Sequence, residues 1–229
     1  HEPDDIRTDN PPSNPELLAY LERELISANY DLKHLYRLIL NSNTYQLSSI
    51  PASDKAEAEA NFAFYSLRRL EAEVLTDALN QITGSTDKYS SPVPEPFTFI
   101  PEDQRAIELA DGSITSSFLE MFGRPPRDTG LESERSNRPT ADQSLHLLNS
   151  SHIQRKIEQG PKLRSLLQGR QTAADVINEI YLTILSRFPT EDEGKTITAY
   201  AGPDRTRRRE AVIDLIWALI NSPEFLYRH

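Results

Sequence analysis

Three runs of apolar residues recur at helical spacing, and they constrain the fold more than any other feature of the chain. Val176, Ile177, Ile180, Tyr181, Ile184, Leu185 and Phe188 form one stripe. Leu67, Leu70, Val74, Leu75, Ala78, Leu79 and Ile82 form a second, and Val212, Leu215, Ile216, Leu219 and Ile220 a third. No segment sustains the alternation of apolar and polar residues that a half-buried strand needs. Valine, the residue most at home in sheets, occurs only four times, at Val74, Val93, Val176 and Val212. The pattern predicts an all-α fold, an irregular multi-helix bundle.

The punctuation agrees with the stripes. Asn14-Pro15-Glu16 reads as an N-cap, a first-turn proline and a first-turn acid. Thr140 with Gln143 and Thr190 with Glu193 read as capping boxes, and Thr172 with Asp175 as a weaker one. Gly84 reads as a C-terminal cap. These signals predict helices near 14–28, 32–42, 66–83, 116–122, 140–149, 151–158, 172–187, 190–201 and 205–221. Asn-Ser recurs after three apolar helices, at Asn41-Ser42, Asn149-Ser150 and Asn221-Ser222, each followed three residues past the Ser by Tyr45, Ile153 or Phe225. The expectation is a turn device: a left-handed Asn ends one helix, and the Ser caps the next turn. A stretch with Pro92, Pro94, Pro96 and Pro101 interrupts the periodicity and reads as an excursion over the surface. The 229 residues are thus expected to form a single mostly helical domain, with a helical part over 1–84, the proline-rich excursion over 85–113 and a second helical part over 114–229.

Charge narrows the function. The chain carries a net charge of −10, which argues against general nucleic-acid binding. No apolar run reaches the length of a membrane span. Cysteine is absent, which excludes a disulfide framework, a thiol nucleophile, a Cys zinc site and a haem-attachment motif. The first residue is His1 and no signal peptide is visible, so the chain reads as a fragment or a processed product. No serine-hydrolase elbow, phosphate-cradling glycine loop or metalloprotease motif is present.

Residues 112–170 carry 9 basic and 6 acidic groups, a local excess of positive charge in an acidic chain. Its focus is the loop over 122–139, with Arg124, Arg127, Glu132, Glu134, Arg135 and Arg138 as the candidate ligand-binding residues. Guanidinium forks suit carboxylate, phosphate or sulfate groups, and loops on helical scaffolds often carry function. Two readings stand. The arginines converge on a pocket for an anionic ligand, or they pair with Glu132 and Glu134 and brace the loop. Glu132 and Glu134 also resemble the paired acids of glycoside cleavage, a weak signal because acids two apart are common. The basic run Arg205, Arg207, Arg208 and Arg209 reads as a solvated helix start. His34 and His146 lie in apolar helical runs and read as half-buried, and no two of the five histidines have ligand spacing. Glu2, Asp4, Asp5 and Asp9 read as an exposed acidic end that lacks the pattern of a calcium loop. No metal or cofactor is expected.

Several segments resemble a known family. They are His1-Glu2-Pro3-Asp4-Asp5-Ile6-Arg7, Asn10-Pro11-Pro12-Ser13-Asn14-Pro15-Glu16-Leu17-Leu18, Tyr30-Asp31-Leu32-Lys33-His34-Leu35 and Asn41-Ser42-Asn43-Thr44-Tyr45-Gln46-Leu47-Ser48-Ser49. Further along come Arg68-Arg69-Leu70-Glu71-Ala72-Glu73-Val74-Leu75, Phe122-Gly123-Arg124-Pro125, Leu145-His146-Leu147-Leu148-Asn149-Ser150 and Leu215-Ile216-Trp217-Ala218-Leu219-Ile220-Asn221-Ser222-Pro223-Glu224-Phe225. Together they resemble the planctomycete-type domain of unknown function 1553. The resemblance implies the C-terminal part of a large exported bacterial protein, periplasmic or at the cell surface. It implies neighbouring domains of the same polypeptide as partners, a cytochrome-c-like haem domain among them. Many such domains carry Cys-Glu-Cys-Glu-Arg where this chain has Leu131-Glu132-Ser133-Glu134-Arg135, so a thiol role there does not carry over. The expected function is a non-catalytic assembly or interaction module. The alternative is binding or hydrolysis of a sulfated or acidic glycan at the 122–139 loop.

Overall fold

The structure, a computed structural model, describes residues 7–52, 57–59, 61–94, 96–109, 112–125, 134–136, 138–168, 171–202 and 205–228. Helices dominate, and the only sheet among the described residues is a two-residue ladder. The all-α expectation holds. The chain divides into two units, residues up to Arg68 and Arg69–Arg228. The proline-rich excursion lies inside the second.

In the first unit, α1 (Pro15–Ser27) starts where Leu17 N–H donates to the Asn14 side chain at 2.9 Å. Asn29 and Tyr30 take left-handed conformations and turn the chain. Asp31 then caps α2 (Leu32–Leu40) by accepting from Lys33 N–H at 2.9 Å. The two helices pack together, yet neither contributes a buried side chain. Beyond α2, the Tyr45 and Tyr65 rings meet edge-on at 5.7 Å.

The second unit holds the core. β1 (Arg68–Arg69) pairs with β2 (Tyr227–Arg228), and α3 (Ala72–Thr83) follows. The predicted helix over 66–83 therefore starts late. Leu70 N–H donates to the Leu226 carbonyl at 2.9 Å, a long-range bond that holds the preceding residues extended. Gly84 ends α3 at φ 72°, as its position predicts. After a short 3₁₀ turn (Ala106–Glu108) come α4 (Ser117–Met121), α5 (Ala141–Asn149) and α6 (Ser151–Gln159). The remaining helices are α7 (Pro161–Gln168), α8 (Ala173–Leu185), α9 (Glu191–Ala201), α10 (Arg205–Ile220) and α11 (Pro223–Leu226). The sequence signals predict no helix over 161–168, yet Pro161, suited to a first helical position, opens α7. Leu75, Leu79, Phe122, Leu119, Ile153, Ile157, Ile180, Ile216 and Ile220 are fully buried and form the centre of the core.

The three Asn-Ser turns each cap a helical turn, and Ile153 and Phe225 fold into the core while Tyr45 stays 43% exposed, but one expectation needs correction. Each Ser does cap: Ser42, Ser150 and Ser222 accept from the N–H of Tyr45, Ile153 and Phe225 at 3.1–3.3 Å. The Asn residues are not left-handed. Asn41 is αR and Asn149 is the last residue of α5. Asn41 and Asn221 instead donate their side-chain amides to carbonyls four residues back, at 2.8 and 2.9 Å. Those carbonyls also accept the backbone N–H of the same Asn, so backbone and side chain close the last turn together without a positive φ. The capping boxes at Thr140, Thr172 and Thr190 are all complete. Glu193 of the last box also joins Glu224 in gripping Arg187, with four N···O distances of 2.7–2.9 Å. That grip ties the α8–α9 turn to α11.

Candidate functional site

The arginine loop leaves α4 through Gly123, at φ 106°. A Cβ there would collide with the Ser136 carbonyl oxygen, and Ser136 N–H donates to the Gly123 carbonyl at 3.0 Å. The loop's return strand thus lies flush on its outgoing one, a closeness only glycine allows. This contact sets Arg124 and Arg135 beside the first turn of α3. Arg135 donates both Nη atoms to Glu73 at 2.8 and 2.9 Å, the bidentate form of the pair. Arg124 Nε lies 3.5 Å from the same carboxylate. The side chains of Arg124, Glu73 and Arg135 are 3%, 7% and 18% exposed. Two head groups that sequence reading offered to a ligand are therefore turned inward onto a carboxylate of α3.

A second guanidinium system adjoins them. Arg69 lies over the Phe122 ring at 5.2 Å and donates to Gln143 Oε1. Gln143 closes the α5 capping box on Thr140 N–H and donates its amide to the Met121 carbonyl at 2.7 Å. One glutamine thus joins the end of α4, the start of α5 and Arg69. Burial holds the Arg69 guanidinium below its ordinary pKa.

The most chemically distinctive cluster lies where α5 turns into α6. His146 Nε2 is 3.4 Å from His152 Nδ1, and His152 Nε2 is 3.2 Å from Asp87 Oδ1. An ionised carboxylate only accepts, so His152 carries its proton on Nε2 when neutral and offers Nδ1 to the Nε2–H of His146. The Phe118 ring meets both imidazoles edge-on at 5.5–5.6 Å and fixes their planes. Lys156, one turn after His152 on α6, lies 3.0 Å from Asp87 and also donates to Asn80 and Ser85. Burial alone would raise the Asp87 pKa. The hydrogen bonds and charges of His152 and Lys156 outweigh it and hold the carboxyl below its ordinary value. The His146 pKa is lowered, first by burial and then by the neighbouring His152. A cavity of about 230 Å³ opens beside Ser85, Asp87, His152 and Lys156. The arrangement can share and pass a proton between two imidazoles. No group of three or more His, Asp or Glu among the described residues is placed to hold a metal.

Of the other sequence candidates, Arg127 and Glu132 lie outside the described residues, while Glu134 and Arg138 are exposed. His34 is exposed, 3.6 Å from Glu24. Glu2, Asp4 and Asp5 lie outside the described residues, and Asp9 is an exposed neighbour of Arg7 at 3.7 Å. Arg207, Arg208 and Arg209 are exposed on the first turns of α10, and the side chain of Arg205 lies outside the described residues. No described helix is long and apolar enough to cross a membrane. Glu73, Asp87 and Lys156 were not singled out from sequence. The usable signal for the last was His152 and Lys156 at i and i+4 on one face of a helix.

No curated protein and no solved structure matches the chain. The family described as PSD1, protein of unknown function (DUF1553), matches residues 1–201, which takes in the segments that first suggested it except Leu215–Phe225. The chain is a member of that family.

Proposed function

We propose that the chain is a non-catalytic interaction module of a larger exported bacterial protein, and that α2 presents its contact face. One observation carries this reading. Leu32, Tyr36 and Leu40 form a row at i, i+4 and i+8 with exposures of 56%, 62% and 48%. Rows of large apolar side chains with this spacing are what one helix offers another. The partner is a neighbouring domain of the same polypeptide, and a haem domain is one such neighbour. Residues 1–68 carry 6 basic and 11 acidic groups, so the matching surface is apolar with a basic rim, and association weakens as salt rises.

The test is the triple variant Leu32→Gln, Tyr36→Gln, Leu40→Gln, mixed with the remaining part of the parent polypeptide expressed separately. The variant should melt like the parent chain, because no buried side chain is touched, and should bind at least tenfold more weakly by calorimetry. Undiminished binding would overturn the proposal. The alternative, an anionic glycan on the 122–139 loop, draws less support, because Arg124 and Arg135 already face Glu73.

A further inference from the structure

Two cavities of the second unit differ in one respect that decides which can take a ligand. In the smaller, Asp87, His152 and Lys156 already serve one another. Lys156 spends its donors on Asp87, Asn80 and Ser85, and both nitrogens of His152 are engaged. The larger, about 520 Å³, is a cleft at the end of α3 between α7 and α8. Its floor is Ile82, Leu163, Ile180 and Ile184, all buried. Its rim carries Lys162 and Glu179, and among the described residues neither has an ion-pair partner. Among the described residues the Lys162 ammonium makes one hydrogen bond, a long one of 3.4 Å to the Gln81 carbonyl. Lys162 is nevertheless well seated. A Cβ built on Gly84 would come within 3.0 Å of Lys162 Cβ and 3.1 Å of its backbone nitrogen, so the start of α7 rests directly on the α3 cap.

A cleft of this volume, with an aliphatic floor and a few uncommitted polar groups, has the composition of a small-molecule site. We propose that it binds a small monocarboxylic acid with an apolar body: the body lies on Ile82, Leu163, Ile180 and Ile184, and the carboxylate pairs with Lys162. Glu179 on the same rim repels a second carboxylate, so dicarboxylic acids are rejected. This site is independent of the α2 face, and either proposal can fail alone.

The test uses the full chain and three probes that share a phenylalkyl body: 3-phenylpropanoate, its amide 3-phenylpropanamide and the diacid benzylsuccinate. Binding is read by thermal shift and by ¹⁵N chemical-shift titration to about 10 mM, where even weak millimolar binding saturates. The monoacid should saturate and perturb Lys162, Leu166 and Thr183. The amide and the diacid should bind at least tenfold more weakly. Lys162→Met should bring the monoacid down to the level of the amide while leaving amide binding unchanged. Ser165→Trp, an exposed position on the cleft wall, should abolish binding of every probe without lowering the melting temperature. The inference is overturned if none of the probes saturates, if acid and amide bind alike, or if Ser165→Trp binds as the parent does.

Discussion

Replacing Glu73 with Gln asks whether the arginine loop is a brace. The change keeps the side chain's length and one carbonyl oxygen. It removes the carboxylate charge that faces Arg135 at 2.8 Å and Arg124 at 3.5 Å. The Arg124 side chain is 3% exposed, so its charge cannot turn to water without opening the loop. Removing one partner of a buried pair costs roughly 3–5 kcal/mol, because the other is left buried and uncompensated. Arg135 is partly solvated and recovers some hydration, which places the expected loss near the lower end, about 3 kcal/mol. For a unit of this length, each kcal/mol moves the midpoint by roughly 2–4 °C, so the melting temperature should fall by about 6–12 °C. Urea unfolding and calorimetry at pH 7 measure it, with the transition of the second unit followed. The triple change Glu73→Gln, Arg124→Met, Arg135→Met should recover most of the loss, since an uncharged set of similar volume needs no counter-charge. A loss below about 1 kcal/mol, the worth of an exposed pair, would refute the reasoning and return both arginines to the pool available for a ligand.

Gly123→Ala should cost at least about 1–3 kcal/mol in urea unfolding, since the left-handed φ and the collision with Ser136 add to each other. Ser150→Ala and Ser222→Ala should each lose about 1 kcal/mol as lost N-caps, read from the same unfolding curves. Hydrogen bonds from Arg187 and Thr190 hold the Glu193 pKa down to about 2. A depressed carboxylate stabilises above its unfolded value, so this contribution is present above about pH 4.5 and is lost as pH falls toward 2; Glu193→Gln should flatten that limb of a urea-midpoint profile. The His146 pKa is lowered in the folded state, so unfolding takes up a proton below the ordinary histidine value. The urea midpoint should therefore drop as pH falls from 7.5 to 5.5, and His146→Gln should reduce the drop; an unchanged profile would contradict the burial of the His146 imidazole beside His152.

What was legible in the sequence was local. Asn14, Thr140, Thr172, Thr190 and the Ser of each Asn-Ser turn cap residues three positions away, within reach of any reading of the chain. The stripes through Leu75, Ile180 and Ile216 indicated which faces would be buried. What escaped was set by distance along the chain. Nothing near Arg68 shows that Leu70 will bond to Leu226 and delay α3. The carboxylate that takes Arg135 comes from 62 residues earlier, while the sequence offered the adjacent Glu132 and Glu134. His146 and His152 are only six residues apart, but only the corner between α5 and α6 turns their rings toward each other, and Asp87 arrives from beyond the α3 cap.

The central claim is that the apolar row of α2 is a contact face. Amide hydrogen exchange over Leu35–Leu40 tests it most directly, measured in the isolated chain and again in the parent polypeptide at low and high salt. Helices without buried side chains open easily, so exchange in the isolated chain should be fast. The account predicts slowing of at least tenfold in the parent at low salt, partly reversed at high salt. Equal rates in both, with the second unit equally protected throughout, would contradict it.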